Sequence, residues 1–442
     1  MANAAGKNST IVQAILFIAA CIFLAFVAGV GLSVFRIPPY AKLEGAFKAF
    51  AAYSTQLSSS ESTPLHHLYP IRYADTGTQI FHPEAVQPGV TLITSHWKDG
   101  EQSYPGARLI DLEGNVLHEW RIYPNKIWPE SPYEDYAAGS KNQESNYIHG
   151  IWLLENGEIV FNIEYLGLVK MNACSEVIWK LPYRTYHSVF PDDNGNFWVS
   201  GLKWTEHFKD EYWHLRPPFV DETLVKVSSN GEILREIDVL KAIYDSGYEG
   251  LMVTSHKTKD VTHLNDVEVL SNSLAPLFKS FESGDLLVSL RNLNAIFVID
   301  GKTEKIKWHL IHPLIHQHDP DFTSDGKIIV FNNRDDGTQT GMYSRQSQIL
   351  EIDPDSKTVT TLWPTMPEQE FYSAAGGKQQ RLANGNLLIT EAQAGRVMEI
   401  DPNGTIVWSW ITEGWGEGLV PEVLEGSRYP LSFADFRKNT CN

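Results

Sequence analysis

One unit recurs six times along the chain. It is a short apolar strand closing on Asp or another polar residue, a turn containing Gly or Asn, and a second strand ending near Trp. The copies lie at 107–120, 167–181, 223–237, 295–310, 348–363 and 396–410. A partner unit, two strands around an Asn-Gly, Asp-Gly or Gly-Asp turn, precedes five of the six, at 149–162, 187–201, 263–291, 318–333 and 377–392. The strands alternate apolar and polar residues, as half-buried strands do, and the turns carry hairpin chemistry. Two strands plus two give four antiparallel strands per repeat, the pattern of a propeller. The expected fold is therefore all-β: a six-bladed β-propeller of four-stranded antiparallel blades over 88–442. The first blade shows only three strands, starting near Gly89. Its fourth is expected from the C-terminal tail, around 429–436, closing the ring.

The N-terminal end is different. Residues 11–35 contain no charge, and Gln13 is the one strongly polar residue among them. A helix of this length, at ~1.5 Å per residue, would span a ~30 Å hydrocarbon core. The expectation is a single N-terminal transmembrane helix: 1–35 as cytoplasmic stub and anchor, and 36–87 as a partly helical connector with an amphipathic stretch at 42–57. Ile18-Ala19-Ala20-Cys21 resembles a lipoprotein cleavage box, but the apolar run continues well beyond Cys21. Lys7 precedes the span and Arg36, Lys42 and Lys48 follow it, which weakly favours a cytoplasmic C-terminal side. The formal net charge of −18 argues against nucleic acid as a partner. Of three cysteines, Cys174 and Cys441 either pair or remain thiols; the sequence leaves both open.

The histidines follow the repeats. His149, His187 and His318 each stand seven residues before the turn pairs Asn156-Gly157, Asn194-Gly195 and Asp325-Gly326. His263 begins the equivalent strand of its repeat, with the turn delayed by an insertion. The fifth equivalent is Gly377. The first strand of each blade lines the central channel, so one offset means one depth, and the four histidines should converge. Asn265, Arg291, Asn333 and Arg345 lie where they would join them. His96, His118, His207, His214, His256, His309, His312 and His316 share no such offset and read as surface or core residues. Two chemistries fit a histidine ring: a metal site, or group transfer to a histidine nucleophile with neighbours holding an anion. Arg291 weighs against the metal, because a fixed cation repels another.

THLNDVEVL, LLVSLRN, HQHDPDF, KIIVFNN and YSRQSQILEID, in this order, resemble the bacterial arylsulfate sulfotransferases across roughly 88–412. The resemblance implies a six-bladed propeller acting outside the cytoplasm, with no cofactor and no phosphoadenosine donor. It makes His318 the nucleophile, receiving a sulfuryl group from an aryl sulfate before a phenolic acceptor takes it. His263 and Arg291 would bind the sulfate oxygens, Asn265 would bind substrate, and His187 would be a further active-site histidine. His149 and Asn333 join from the ring geometry alone, and Arg345 from its position after Tyr343-Ser344. HSVFPDD lacks the acidic residue that often follows the family's histidine there, and the transmembrane segment and short connector are expected where the better-known members carry a separate N-terminal β-domain. The implied location is the inner membrane, with the propeller in the periplasm. A non-catalytic subunit of a membrane complex, or a homodimer, stays open beside the enzyme.

Overall fold

The computed structural model describes residues 16–30, 67–100, 102–133, 147–338, 340–416 and 418–439. The chain divides into two compact units, Met1–His66 and His67–Asn442. In the first, the described residues form a helix over 16–30 whose large apolar side chains, Phe17, Phe23 and Phe26 among them, are exposed. At ~1.5 Å per residue the described residues 16–30 cover less than a hydrocarbon core. No helix among the described residues is long and apolar enough to cross a membrane. The rest of the expected span, 11–15 and 31–35, and the amphipathic stretch at 42–57 lie outside the described residues.

The second unit is a six-bladed propeller. Blade 2 runs from its inner to its outer strand as Ile148–Leu153, Ile159–Ile163, Gly167–Met171 and Val177–Leu181. Blade 3 begins at Thr185–Pro191, blade 4 at Leu264–Val269 and blade 5 at His318–Phe322, each with four antiparallel strands. Blade 6 begins at Lys378–Arg381 and gains a fifth, outermost strand, Gly77–Ile80, so part of the expected connector is sheet. Blade 1 takes its inner strand from Glu425–Tyr429, paired with Val90–Asp99. The ring thus closes through the C-terminal tail as expected, but with the segment just before 429–436. Residues Leu431–Asn439 form a 3-10 helix instead.

Six apolar clusters fill the six seams between neighbouring blades. Adjacent residues on a strand enter different seams. Leu92 packs toward blade 2 and Ile93 toward blade 6; Val160 packs toward blade 3 and Phe161 toward blade 1. The second strand of a blade is therefore apolar on both faces, and alternation survives chiefly on the outermost strands, such as Ile233–Asp238. Burying a side chain such as Phe161 or Phe331 contributes about 1.5–3 kcal/mol. The recurrent Trp of the repeat has a second use. Indole N–H groups of Trp179, Trp308 and Trp408 donate to Ser229, Pro354 and Leu112, each in a turn of the next blade, at 2.8–2.9 Å. The motif read as a repeat is a stitch between repeats.

Candidate active site

Counting back four residues from the last pair of the inner hairpin gives His149 in blade 2, His187 in blade 3 and His318 in blade 5. In blade 4 the same count reaches Asn265, and His263 lies two residues earlier. The four positions are thus not equivalent, which corrects the expectation of one offset. Each of these inner strands shifts register here: at Ile148/Ile151, Tyr186/Val189, Leu264/Asp266 and His318/Asp321. His187, His263 and Asp319 have φ of 56°, 53° and 53°. A bulge re-aims side chains, and a non-glycine residue held in the left-handed region stores strain of the kind that collects at functional sites. Gly150 allows the closest approach. Its φ is 82°, and a Cβ there would fall 1.5 Å from the His187 carbonyl oxygen.

The imidazoles meet. His187 Nδ1 lies 3.0 Å from His149 Nε2, and His187 Nε2 lies 3.2 Å from His263 Nε2. The His318 ring centroid is 6.3 Å from that of His187. Two carboxylates end the row: Asp260 bonds His263 Nδ1, and Glu164 Oε1 lies 3.6 Å from His149 Nδ1.

The environment of His318 fixes its tautomer. Asn333 donates through Nδ2 to the carbonyls of Ser373 (2.9 Å) and Gly376 (2.7 Å). Its Oδ1 is therefore turned to His318 Nδ1, at 2.6 Å. The His316 carbonyl lies 3.1 Å from the same nitrogen. Both partners are acceptors, so Nδ1 carries the proton and Nε2 holds the free lone pair. Burial, and then the Arg291 guanidinium, hold His318 well below the usual histidine range despite the opposing Asn333 bond. The ring is neutral at physiological pH. Asn333, expected to touch substrate, instead orients His318.

Arg291 follows the second strand of blade 4, and its backbone N–H bonds the His263 carbonyl at 2.9 Å. Its guanidinium reaches Asn292 Oδ1 at 3.2 Å and lies 3.6 Å from Asp335. His316 Nδ1 bonds the same Asp335 at 2.9 Å. His316, read from the sequence as surface or core, therefore sits beside Arg291. Asn265 donates to the Gln317 carbonyl at 2.7 Å, leaving its buried Oδ1 without a partner among the described residues. The free atom is an acceptor, which suits a hydroxyl and not a sulfate oxygen. Arg345 stands apart: exposed, with no side-chain hydrogen bond or ion pair among the described residues. The gap at Gly377 is filled from below. Its φ is 105°, and a Cβ would come within 2.7 Å of the Phe331 ring. Gly377→Ala is expected to destabilise the propeller by about 1–3 kcal/mol, measurable as a lower Tm at unchanged ligand conditions.

His149, Glu164 and His187 come close enough to suggest a metal, with one ligand atom from each lying within 4.8 Å of the others. The His149–His187 hydrogen bond, Nε2 to Nδ1 at 3.0 Å, competes with that use, and Glu164 lies 3.6 Å from the other nitrogen of the His149 ring.

Beneath the histidines is a cavity of about 30 Å³, lined by His149, His187, Asn265, His318 and Lys378. A larger one of about 650 Å³ shares Asp266, Asp319 and Lys378 with it and adds Glu268, Asp321 and Glu425. Burial raises the carboxyls of Asp266, Glu268 and Asp321 well above their usual range. The site thus has an acidic side and, around Arg291, a basic one. Asp260, Glu164, Asp335 and Glu222 carry no repeat offset and were not legible in sequence. Glu222, in the third strand of blade 3, accepts from the Leu264 backbone at 2.7 Å and from Tyr186 and Thr262. Burial and the neighbouring Asp260 push it up to about 7.

The channel of the propeller thus holds a buried, oriented histidine with an arginine nearby. The arylsulfotransferase (ASST) family model matches residues 150–413, more than half of the chain. The chain belongs to that family. A search of curated proteins found no match. Solved structures with a similar course are distant. A protein of unknown function from Bacteroides caccae is 13% identical, with TM-score 0.47, over 76% of this chain and 99% of that one. Virginiamycin B lyase from Staphylococcus aureus is 11% identical, with TM-score 0.39, over 77% and 89%. Hydrazine synthase of Kuenenia stuttgartiensis is 13% identical, with TM-score 0.39, over 69% and 74%.

Proposed function

We propose that this protein moves a sulfuryl group from an aryl sulfate to a phenolic acceptor, with His318 as the covalent carrier. The observation that carries this reading is the orientation of His318: a buried, neutral imidazole with Nδ1 tied to Asn333 and Nε2 free. Nε2 attacks sulfur, the S–O bond to the aryl group breaks, and the aryl oxygen leaves with the bonding pair as a phenolate. Arg291 offsets the charge that develops on the sulfuryl oxygens, and its fork suits them better than a point charge does. A second phenol then bonds sulfur through its oxygen as the His318 N–S bond breaks and its proton leaves to solvent, which regenerates His318, so kinetics should be ping-pong. Four buried carboxyls, Asp266, Glu268, Asp319 and Glu425, line the far cavity, so the anionic donor enters from the side of Arg291, His263 and His316. Membership of the arylsulfotransferase family supports the reaction class.

The test is direct. The protein is incubated with p-nitrophenyl sulfate and phenol, and nitrophenolate release is followed. No release above background, across a panel of aryl sulfates, would leave the scaffold reading in its place. Arg291→Lys keeps the charge and loses the fork; kcat/KM should fall about a hundred-fold. The pH profile carries a sign. Protonated His318 cannot attack, so activity is lost as pH falls through its pKa. Burial and Arg291 depress that pKa, so the acidic limb of kcat/KM should lie below the ordinary histidine value of 6.5. A limb at or above 6.5 would contradict the environment described.

The same reading puts the propeller outside the cytoplasm, with residues 11–35 as its link to the inner membrane. Cys174 is disulfide-bonded, which suits an oxidising compartment. Cys441, weighed as its partner, lies outside the described residues.

A further inference from the structure

Few lone pairs are free near His318. The Asp260 carboxylate accepts from His263 Nδ1, so His263 Nε2 accepts from His187 Nε2, and His187 Nδ1 accepts from His149 Nε2. Three links hold the three protons of three neutral rings, and the lone pairs of His263 and His187 are both engaged. The one spare lone pair of the row, on His149 Nδ1, is buried and faces Glu164 without a hydrogen bond. The row is thus closed to the proton of an incoming hydroxyl.

His316 differs. Its Nδ1 meets Asp335 Oδ2 at 2.9 Å. A carboxylate only accepts, so Nδ1 carries the proton and Nε2 the lone pair. Nε2 has no hydrogen-bond partner among the described residues, and the side chain is 31% exposed. Both members of the pair are held from behind. The His316 backbone N–H donates to Asn294 Oδ1 at 2.8 Å, and Asp335 Oδ1 accepts from the Gly337 N–H at 2.9 Å. Arg291 Nη2 lies 3.6 Å from the same Asp335 Oδ2. A free basic nitrogen therefore stands beside the guanidinium assigned to the sulfuryl oxygens.

We propose that His316 is the general base of the second half-reaction, oriented by Asp335. The inference rests on the proposed sulfuryl transfer to a phenol. The acceptor's O–H proton passes to His316 Nε2 and its oxygen bonds sulfur. The His318 Nε2–S bond breaks, and its pair returns to His318. His316 is left as an imidazolium paired with Asp335, and then releases the proton to solvent. The new aryl sulfate carries one negative charge and His316 one positive, so charge balances. Arg291, Asp335 and His263 face the His316 ring, and the His318 Nδ1 meets its carbonyl. Burial, and then Arg291, outweigh Asp335 and hold His316 below the usual histidine range, so it is neutral and able to accept at pH 7. Asp335 is a positioning residue, since it acts on the phenol only through the ring.

Ping-pong kinetics separate the two halves. The kcat/KM for the acceptor reports the sulfated enzyme, in which His318 Nε2 is blocked, so its pH profile isolates His316. Protonated His316 cannot accept, so this kcat/KM should be lost as pH falls, with a limb below 6.5. In His316→Gln, kcat/KM for phenol should fall at least about a hundred-fold, the scale of general-base loss. That loss should exceed the loss in kcat/KM for p-nitrophenyl sulfate at least tenfold, and the acidic limb should vanish. Equal losses on donor and acceptor, no loss on either, or a limb that survives the substitution would overturn the assignment and leave transfer through His318 standing. A wild type that releases no nitrophenolate would reject the transfer reading and the assignment with it. A second measurement needs no turnover. In the full chain labelled with 15N-histidine, long-range nitrogen–proton correlations should place the His316 proton on Nδ1, and Asp335→Ala should lose that preference. A proton on Nε2 in the wild type would overturn the assignment.

Discussion

His318→Ala is expected to abolish sulfuryl transfer to every acceptor and to leave no covalent intermediate. Removing the atom that bonds sulfur removes the pathway rather than slowing one step. A nucleophile knockout typically lowers kcat by about a million-fold, leaving only what binding and charge stabilisation supply. The fold should survive, because the His318 ring makes its hydrogen bonds to Asn333 and a carbonyl and belongs to none of the six apolar clusters. Circular dichroism and Tm close to wild type, with nitrophenolate release at background, would be the expected pair of results. Full activity in the variant would move the nucleophile elsewhere.

Asn333→Ala should produce the second-largest loss. The side chain never touches the sulfuryl group in this account, yet its Oδ1 keeps the His318 proton on Nδ1. Without it the His316 carbonyl alone opposes the other tautomer, in which Nε2 carries the proton and cannot attack. Holding the wrong tautomer lowered turnover about ten-thousand-fold in the serine-protease triad; with one acceptor retained, a loss of about a thousand-fold is expected here. The same change frees the Gly376 carbonyl and leaves that of Ser373 with Ser347 Oγ alone, which adds about 1–3 kcal/mol of destabilisation. Asn333→Asp separates the effects: it keeps an acceptor for Nδ1 and loses both donors. Its stability should fall with that of Asn333→Ala while most of the turnover returns. Equal turnover in the two variants would contradict the tautomer argument.

The blades were legible because the repeat unit carries its Trp and its turns, and those same residues stitch one blade to the next. The alternation read into every strand was not general. Leu92 and Ile93 are neighbours buried in different seams, and a strand lying between two blades has no polar face to show. The closing strand Glu425–Tyr429 was missed by a few residues, since an inner strand lines a polar channel and shows no apolar run. Within the site, hairpin spacing found His149, His187 and His318. It misplaced His263, where a bulge and an insertion break the count. Asp260, Glu164, Glu222 and Asp335 come from loops and strands with no shared offset, so only the folded chain brings them to the histidines.

The central claim is a covalent bond between His318 and sulfur. The most direct measurement is intact and peptide mass spectrometry, under alkaline handling, of the protein exposed to p-nitrophenyl sulfate with no acceptor. One SO₃ increment is expected, localised to the His318 peptide, that disappears when phenol is added and never forms in His318→Ala. Nitrophenolate release with no increment on His318, or with the increment on another residue, would contradict it.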